Sequence, residues 1–211
     1  MSGFDGKAAG WHTDPVHIRR AEAIAAAMQR TLALGNRPRA LELGAGTGLL
    51  SFFLKDHFSD IVLVDQSTGM LDAARAQKDS FAPASVSFIQ KDISGSWNAE
   101  DFGGPFDIIY GQMMLHHVAD PAALIWRLPA LLNNGGILAF ADLFPEDGSF
   151  HNHEPGIHNG FDPSLLTAMF LTAGFTEVQH EQCHLMRKSS ADGAEREYRI
   201  FLISGVLDRE C

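Results

Sequence analysis

The chain has 211 residues, a length that fits one domain of ordinary size with a substantial hydrophobic core. Its formal net charge of −10 disfavours polyanionic partners, so neither a nucleic-acid nor a membrane partner is predicted. The two separated cysteines, Cys183 and Cys211, form neither a disulfide framework nor a zinc motif. Without an apolar leader or an apolar run of about 18 residues, the sequence predicts a cytoplasmic protein.

Short apolar runs alternate with amphipathic segments through most of the chain. The runs predict strands covered on both faces of a sheet, because nearly every position is apolar; they occupy 39–43, 61–64, 86–90, 106–110 and 136–143. Helical patterns occupy 15–34, 48–57, 68–78, 120–132 and 162–173. This alternation predicts right-handed crossovers and a parallel, doubly wound sheet.

Capping and turn residues mark several of the predicted boundaries. Asp120 followed by Pro121 predicts the start of the fourth helix, and the run from Asn133 to Gly136 predicts its end through left-handed turn chemistry. Gly35-Asn36 closes the first helix, and Asp162 caps the last.

The last part of the chain has a different pattern. Two strand-like segments, 175–187 and 195–207, flank an Asp192-Gly193 pair that is typical of a hairpin. The predicted fold is therefore an α/β, Rossmann-like three-layer sandwich. Its mostly parallel seven-stranded sheet ends in an antiparallel hairpin and carries helices on both faces.

The glycine-rich stretch LELGAGTGLLS, residues 41–51, is the most informative motif. It follows a strand and opens a helix, and Gly44, Gly46 and Gly48 allow a tight turn and a close approach of the backbone to a ligand. Asp65, at the end of the next strand, is placed to accept hydrogen bonds from ribose hydroxyls. The stretch therefore predicts an adenosine site at the carboxyl edge of the sheet.

The spacing of the glycines separates two kinds of adenosine cofactor. A dinucleotide fingerprint needs a small third residue where this chain has Leu49, which argues against a nucleotide-linked reductase. The acid Glu42 beside the loop suits a cationic ligand better than a diphosphate. S-adenosylmethionine carries a sulfonium and an ammonium group and no phosphate, so it fits this loop.

Residues 39–143 resemble the core of the class I S-adenosylmethionine-dependent methyltransferases, with five motifs in the family's order. The motifs are LELGAGTGLLS, LVDQSTGMLDAAR, IQKDIS, FDIIYGQMMLHHVADP and LLNNGGILAFADL. The resemblance implies S-adenosylmethionine as cofactor and S-adenosylhomocysteine as its product. It implies that Asp65 binds the ribose, that Gln66 and Met70 lie on the adenine side, and that Asp92 and Ile93 face the adenine. Gln112 then lies near the methionine portion, and Ala45 lies within the glycine motif.

The two ends of the chain resemble a bacterial and fungal subgroup of small methyltransferases with no assigned substrate. The resemblance rests on ADLFPEDGSFH, on HNGFDPSLLTAMFLTAGFTEV and on a Trp-Asp-like start, here Trp11 to Asp14. Trp11 stands on a polar, glycine-rich segment, so its ring needs a surface to cover. We expect it to act as a flap over the cofactor, and the alternative is an ordinary core residue that anchors the first helix.

Histidines supply the candidate catalytic groups. His117, at the end of the fourth motif, and the loop histidines His151, His153 and His158 are candidates for a base or for orienting the acceptor, since histidine suits proton transfer near neutral pH. The alternatives are solvated loop histidines or a divalent-metal site formed with nearby carboxylates. The prediction is that no metal is bound, because convergent ligand geometry is not visible in the spacing.

The predicted activity is methyl transfer to the oxygen, nitrogen or carbon of a small molecule by in-line displacement. The chain lacks the Asn/Asp-Pro-Pro-aromatic motif after its fourth strand, which argues against DNA bases and glutamine amides as acceptors. A non-catalytic module that binds the cofactor and a metal-dependent hydrolase are the rival functions. One domain is expected over 1–211, divided into a helical cap or flap (1–36), a cofactor-binding core (37–143), an active-site loop (144–161) and a C-terminal helix and hairpin (162–211).

Overall fold

The computed structural model describes residues 10–32, 34, 38–189 and 193–208. Its seven strands are β1 Arg39–Leu43, β2 Asp60–Asp65, β3 Ser85–Gln90, β4 Phe106–Gln112, β5 Leu132–Leu143, β6 Phe175–Ser189 and β7 Glu195–Leu207. The five α-helices are α1 Pro15–Thr31, α2 Leu49–Leu54, α3 Thr68–Arg75, α4 Pro121–Arg127 and α5 Pro163–Thr172. None of the helices in the described ranges is long and apolar enough to cross a membrane.

The strands form one sheet in the order β3-β2-β1-β4-β5-β7-β6. Strands β1 to β5 pair in parallel, and β7 runs antiparallel between β5 and β6. This confirms the predicted fold, including its terminal hairpin. In the predicted hairpin turn, Gly193 has the left-handed φ of 79° that a tight turn favours. Asp192 of the same turn lies outside the described residues, and so do Gly35-Asn36 and Cys211.

Two apolar layers sandwich the sheet. On one face, α1 and α2 bury Ile24, Met28 and Leu54. On the other face, α4 and α5 bury Ile125 and Phe170. Because helices cover both faces, functional side chains can reach solvent only at the strand ends, and the strand order reverses between β1 and β4, where such folds bind ligands.

The predicted end of the fourth helix was wrong. Helix α4 ends at Arg127, a 3₁₀ turn spans Leu128–Leu131, and β5 already begins at Leu132. Leu132 pairs with Phe106 and Ile137 pairs with Ile108. The asparagine–glycine run between Leu132 and Ile137 therefore forms a bulge within β5, and β5 is paired with β4 on both sides of the bulge. The left-handed glycine was correctly anticipated, since Gly135 has a φ of 75°, but it serves this bulge.

Replacing Asp162 with alanine is expected to lower the free energy of unfolding by about 1 kcal/mol. The Asp162 carboxylate accepts a hydrogen bond from the Ser164 amide at 2.9 Å and so caps α5. Thermal unfolding should show a midpoint lower by roughly 2–4 °C. Asp162→Ser keeps a capping oxygen and should behave like the wild type; equal losses in both variants would contradict the capping role.

Candidate active site

A cavity of about 330 Å³ lies at the carboxyl ends of the parallel strands, where the strand order reverses. Ten of the twelve residues that the sequence predicts for the cofactor line it: Trp11, Gly44, Ala45, Gly46, Asp65, Gln66, Met70, Asp92, Ile93 and Gln112. The cavity volume is within the usual range for small-molecule sites. The fold therefore brings together residues from four separate motifs and from the N-terminal segment.

The glycine loop forms the floor of this cavity. A side chain at Gly44, whose φ is 60°, would place its Cβ only 2.6 Å from the Cβ of Met114. The Gly46 amide donates a hydrogen bond to Asp65 Oδ2 at 2.7 Å, and the Ser67 amide donates to Asp65 Oδ1 at 2.8 Å. Asp65 thus fixes both the glycine loop and the start of α3 while it lines the cavity, and Ser67 supplies the side-chain cap of α3.

The cavity lining also includes two buried polar atoms, on Arg20 and Gln112. Arg20 is only 6% exposed, and within the described part of the chain neither its Nε nor Gln112 Oε1 has a hydrogen-bond partner. Burial lowers the pKa of Arg20 to about 10, against the opposing charges of Asp142 and Asp14, so the guanidinium remains protonated at neutral pH. Unpartnered buried polar groups are costly, and here a cation and a hydrogen-bond acceptor remain available at the cavity.

Arg20 is not among the residues that the sequence predicts for the site, although the sequence carries a signal for it. Arg20 stands four and eight residues before Ile24 and Met28, so it belongs to the buried face of α1. A lone arginine on an apolar helical face is rare unless it has a partner. The same pattern could have indicated a buried cation.

Two predicted cofactor residues, Glu42 and Gly48, do not line the cavity. Glu42 is fully buried behind the glycine loop, where its carboxylate accepts a hydrogen bond from the Ser51 hydroxyl, which lies 2.6 Å from the Tyr110 hydroxyl. Glu42 is therefore not among the residues that line the cavity, and its direct contact with a cationic ligand stays a prediction. Gly48 has a φ of 74°, and a Cβ at this position would lie only 2.8 Å from Leu63 Cδ1, so glycine is required in the turn into α2.

Trp11 lines the cavity from the N-terminal side. It opens a 3₁₀ turn, and its ring stacks on His17 of α1 at a centroid distance of 3.9 Å. The Trp11 carbonyl oxygen also lies 3.2 Å from His17 Nδ1. The indole therefore packs on α1 and also lines the cavity, and its role as a flap stays a prediction.

Three histidines meet beside the cavity. His116 and His117 belong to a 3₁₀ turn after β4, and His151 belongs to another within the 144–161 loop. His116 is buried, and His117 lines the cavity. The Nε2 atoms of His116 and His151 are 3.0 Å apart, and one ligand nitrogen from each of the three rings lies within 4.8 Å of the others.

A buried carboxylate orients this cluster from below. His116 Nδ1 donates to Asp142 Oδ1 at 2.6 Å, and Asp142 also accepts from the backbone amides of Leu115, His116 and Leu143. Burial by itself would raise the pKa of Asp142, but the charge and hydrogen bond of His116 together with the backbone amides hold the pKa below its usual value. Asp142 is therefore ionised, and it leaves His116 Nε2 facing His151.

The other two loop histidines lie outside this cluster. His158 Nε2 donates to the Val118 carbonyl at 3.0 Å, and the His158 amide donates to the His116 carbonyl at 2.9 Å, so this residue ties the loop to the turn after β4. His153 is exposed, and its amide donates to the Gly148 carbonyl at 2.7 Å. No residue of the 144–161 loop lines the cavity directly; the loop reaches it through the contact of His151 with His117.

Comparisons with known proteins agree with this architecture. Residues 16–192 match a family described as a methyltransferase domain. An uncharacterized methyltransferase of Schizosaccharomyces pombe is 28% identical over 155 residues, covering 66% of this chain and 54% of the relative. The ubiquinone biosynthesis O-methyltransferase of Acinetobacter baylyi is 26% identical over 105 residues, covering 50% of this chain and 43% of the relative. The chain thus spans about half the length of the curated relatives it matches.

Among solved structures, the N-methyltransferase NodS of Bradyrhizobium japonicum in complex with S-adenosylhomocysteine shares the fold. The TM-score is 0.64 at 19% identity, with 93% of this chain and 91% of that chain covered. With the family match over most of the chain, the five motifs and the seven-stranded sheet, the chain belongs to the class I S-adenosylmethionine-dependent methyltransferases.

Proposed function

We propose that this protein transfers a methyl group from S-adenosylmethionine to a small-molecule acceptor at the cavity beside the histidine cluster. One observation carries the proposal: a single cavity is lined by the carboxylates of Asp65 and Asp92 and by Arg20 and Gln112, whose Nε and Oε1 have no hydrogen-bond partner among the described residues. The two carboxylates suit the hydrogen-bond donors of an adenosine, and Arg20 with Gln112 suits the carboxylate and ammonium groups of an amino acid. These are the two halves of S-adenosylmethionine.

The residues present fit the cofactor group by group. Asp65 would accept from the ribose hydroxyls, and Asp92 from the adenine amino group, with Ile93 and Met70 packing on the base. Arg20 would bind the carboxylate of the methionine portion, and Gln112 Oε1 would accept from its ammonium group. When bound, the cofactor supplies an electrophilic methyl group on a sulfonium sulfur, so the chain has only to align the acceptor and exclude water.

His117 and His151 are the residues we assign to the acceptor. His117 stands at the cavity wall, and His151 contacts both His117 and His116. Either ring could take the proton of an oxygen or nitrogen acceptor as the methyl group is transferred. His153 and His158, which the sequence also suggested, have loop-holding contacts instead, and we assign them no catalytic role.

A small acceptor is favoured over a polymer by charge. The net charge of −10 would repel nucleic acid, and the cavity rather than a groove holds the predicted cofactor residues. The relatives include an O-methyltransferase and the similar structures an N-methyltransferase, so hydroxyl and amine acceptors are both reasonable first choices. A cytoplasmic location is part of the proposal, and the two separated cysteines support it.

The same arrangement supports the division of the chain that the sequence suggests. We propose 1–36 as a cap whose Trp11 and Arg20 close the cofactor site, 37–143 as the cofactor core, 144–161 as the loop on the acceptor side, and 162–211 as a supporting helix and hairpin. All four parts belong to the single expected domain.

Calorimetric titration and product analysis test this function together. S-adenosylhomocysteine should bind more tightly than NADH, and labelled S-adenosylmethionine should methylate a member of a panel of phenols, amines and carbon acids. Tighter binding of NADH would refute the cofactor assignment. Tight S-adenosylhomocysteine binding without transfer to any member of a broad panel would favour the non-catalytic module.

Replacing Trp11 with alanine is expected to weaken S-adenosylhomocysteine binding by about tenfold, because an aromatic cover over a bound ligand contributes on the order of 1 kcal/mol. Trp126→Ala is the matched control, since Trp126 lies on α4 and is 69% exposed. Calorimetry should give the control the affinity of the wild type. Equal affinities of both variants and the wild type would rule out a flap.

A further inference from the structure

We propose that His116, His117 and His151 form a binding site for a divalent transition metal, with Zn²⁺ as the occupant that the ligands favour. The three ligand nitrogens already lie within 4.8 Å of one another. In a tetrahedral zinc site with Zn–N bonds of about 2.0–2.1 Å, the ligand nitrogens are roughly 3.4 Å apart. Small rotations of the two half-buried rings, His117 and His151, would bring the cluster to that spacing.

The carboxylate behind His116 is the second observation that points to a metal. Asp142 accepts the Nδ1 proton of His116 at 2.6 Å, which fixes the tautomer that presents Nε2 to the cluster. Histidine ligands of metals characteristically donate their other ring nitrogen to such a carboxylate. The Asp142 side chain is fully buried, and its negative charge lies next to the cluster, with Arg20 as the neighbouring cation.

The ligand set also indicates which metal and which kind of site. Imidazole nitrogens suit zinc and its late-transition-metal neighbours, whereas magnesium and calcium prefer oxygen ligands. Three protein ligands leave a fourth position open, as in catalytic zinc sites, whereas structural zinc sites use four. The cluster differs from the loop-only site that the sequence left as an alternative, because two of its ligands come from the turn after β4.

The position of the site gives the metal a role, and this step depends on the proposed function. His117 belongs both to the cluster and to the cavity wall, so the open position adjoins the acceptor side. With the metal bound, the ring nitrogens that hold it no longer act as bases; a hydroxyl or thiol acceptor at the open position would instead release its proton to solvent more easily. Its oxygen or sulfur would then bond to the methyl carbon, while the carbon–sulfonium bond breaks and its electron pair stays on the sulfur of S-adenosylhomocysteine.

Zinc titration of untagged, chelator-stripped protein in competition with a chromogenic chelator tests the site. The wild type should bind one Zn²⁺ per chain, and His151→Ala should bind it at least about tenfold more weakly. His153→Ala is the matched control, because it removes an exposed histidine two residues away and should bind like the wild type. No stoichiometric binding, or equal affinities in all three proteins, would overturn the proposal.

Two further measurements distinguish the absence of a metal site from misfolding of a variant and from a failure of the proposed function. Co²⁺ added to the stripped wild type should give the intense visible absorption of a four-coordinate site, and the weak absorption of a six-coordinate ion would contradict it. S-adenosylhomocysteine binding is measured on the same metal-free protein. Cofactor binding without zinc binding would refute the metal site alone, and zinc binding without cofactor binding would refute the proposed function alone.

Discussion

Replacing Arg20 with methionine is expected to weaken S-adenosylhomocysteine binding by about 100-fold. Hydrogen bonds to charged groups contribute about 1.5–3 kcal/mol each, and two such bonds to a carboxylate reach about 3 kcal/mol. Arg20 is 6% exposed and lines the cavity, and its Nε has no hydrogen-bond partner among the described residues, so it is available to a bound carboxylate. Calorimetric titration of the wild type and the variant measures the effect.

A matched ligand separates a carboxylate contact from a general disturbance of the cavity. 5′-Methylthioadenosine keeps the adenosine and the thioether but lacks the amino-acid portion, so the Arg20 variant should bind it as the wild type does. Arg19→Met is the matched protein control, because Arg19 is exposed on the same helix. An equal loss of affinity for both ligands would show that Arg20 supports the cavity and does not bind the carboxylate.

The variant should fold without penalty. Methionine keeps an unbranched side chain of similar length and so avoids a cavity, and the buried Asp142 keeps its hydrogen bonds to His116 and to three backbone amides. Urea unfolding should therefore give a free energy equal to or above that of the wild type. A large loss of stability would mean that the Arg20 charge is compensated in the folded protein, by Asp142 or Asp14, more strongly than the contacts indicate.

The fold could be predicted because its elements depend on local patterns. Continuous apolar runs predict the buried parallel strands, and Asp-Pro pairs at 120–121 and 162–163 predict two helix starts. The bulge after α4 could not be predicted, because it depends on the pairing of Leu132 with Phe106, two residues whose partnership only the assembled sheet determines. Turn residues specify local backbone conformation, and the strand partner decides whether a turn ends a helix or interrupts a strand.

The sequence predicts a site residue where a side chain of suitable chemistry stands at the end of a predicted strand, as Asp65 and Asp92 do. The sequence does not predict the role of a residue when that role depends on whether the fold buries its side chain. Glu42 stands in the glycine motif but does not line the cavity, whereas Asp142, inside the apolar run of β5, orients His116. A lone acid within an apolar strand is a signal for a buried ion, but its partner comes from a turn 26 residues away along the chain.

Replacing Glu42 with glutamine is expected to stabilise the folded protein above neutral pH. Burial raises the pKa of Glu42 from 4.5 to about 8, with the charge of Asp65 adding to it and the hydrogen bonds of Ser51 opposing it. The folded protein therefore keeps this proton at pH values where the unfolded chain has released it. The stability that the protonated carboxyl contributes is complete below pH 4.5 and is lost as the pH rises to about 8.

The size of this effect follows from linkage. Each pKa unit corresponds to about 1.4 kcal/mol, so a carboxyl that titrates near 8 makes the folded wild type less stable at pH 9 than at pH 5 by on the order of 3–5 kcal/mol. Glutamine cannot ionise, and it can keep a hydrogen bond to the Ser51 hydroxyl in the buried network with Tyr110. The variant should therefore match the wild type near pH 5 and exceed it in free energy of unfolding by a few kcal/mol at pH 9.

Urea unfolding of both proteins at pH 5, 7 and 9 measures this difference, and Glu22→Gln, an exposed exchange on α1, is the control. Every other titrating group is common to the pair, so subtraction isolates Glu42. Parallel pH profiles would show that Glu42 is ionised in the fold. S-adenosylhomocysteine binding at pH 9 tests whether Glu42 also contacts the ligand. An unchanged affinity in Glu42→Gln supports a buried structural acid. An affinity about tenfold lower would support the direct contact with a cationic ligand that the sequence alone suggests.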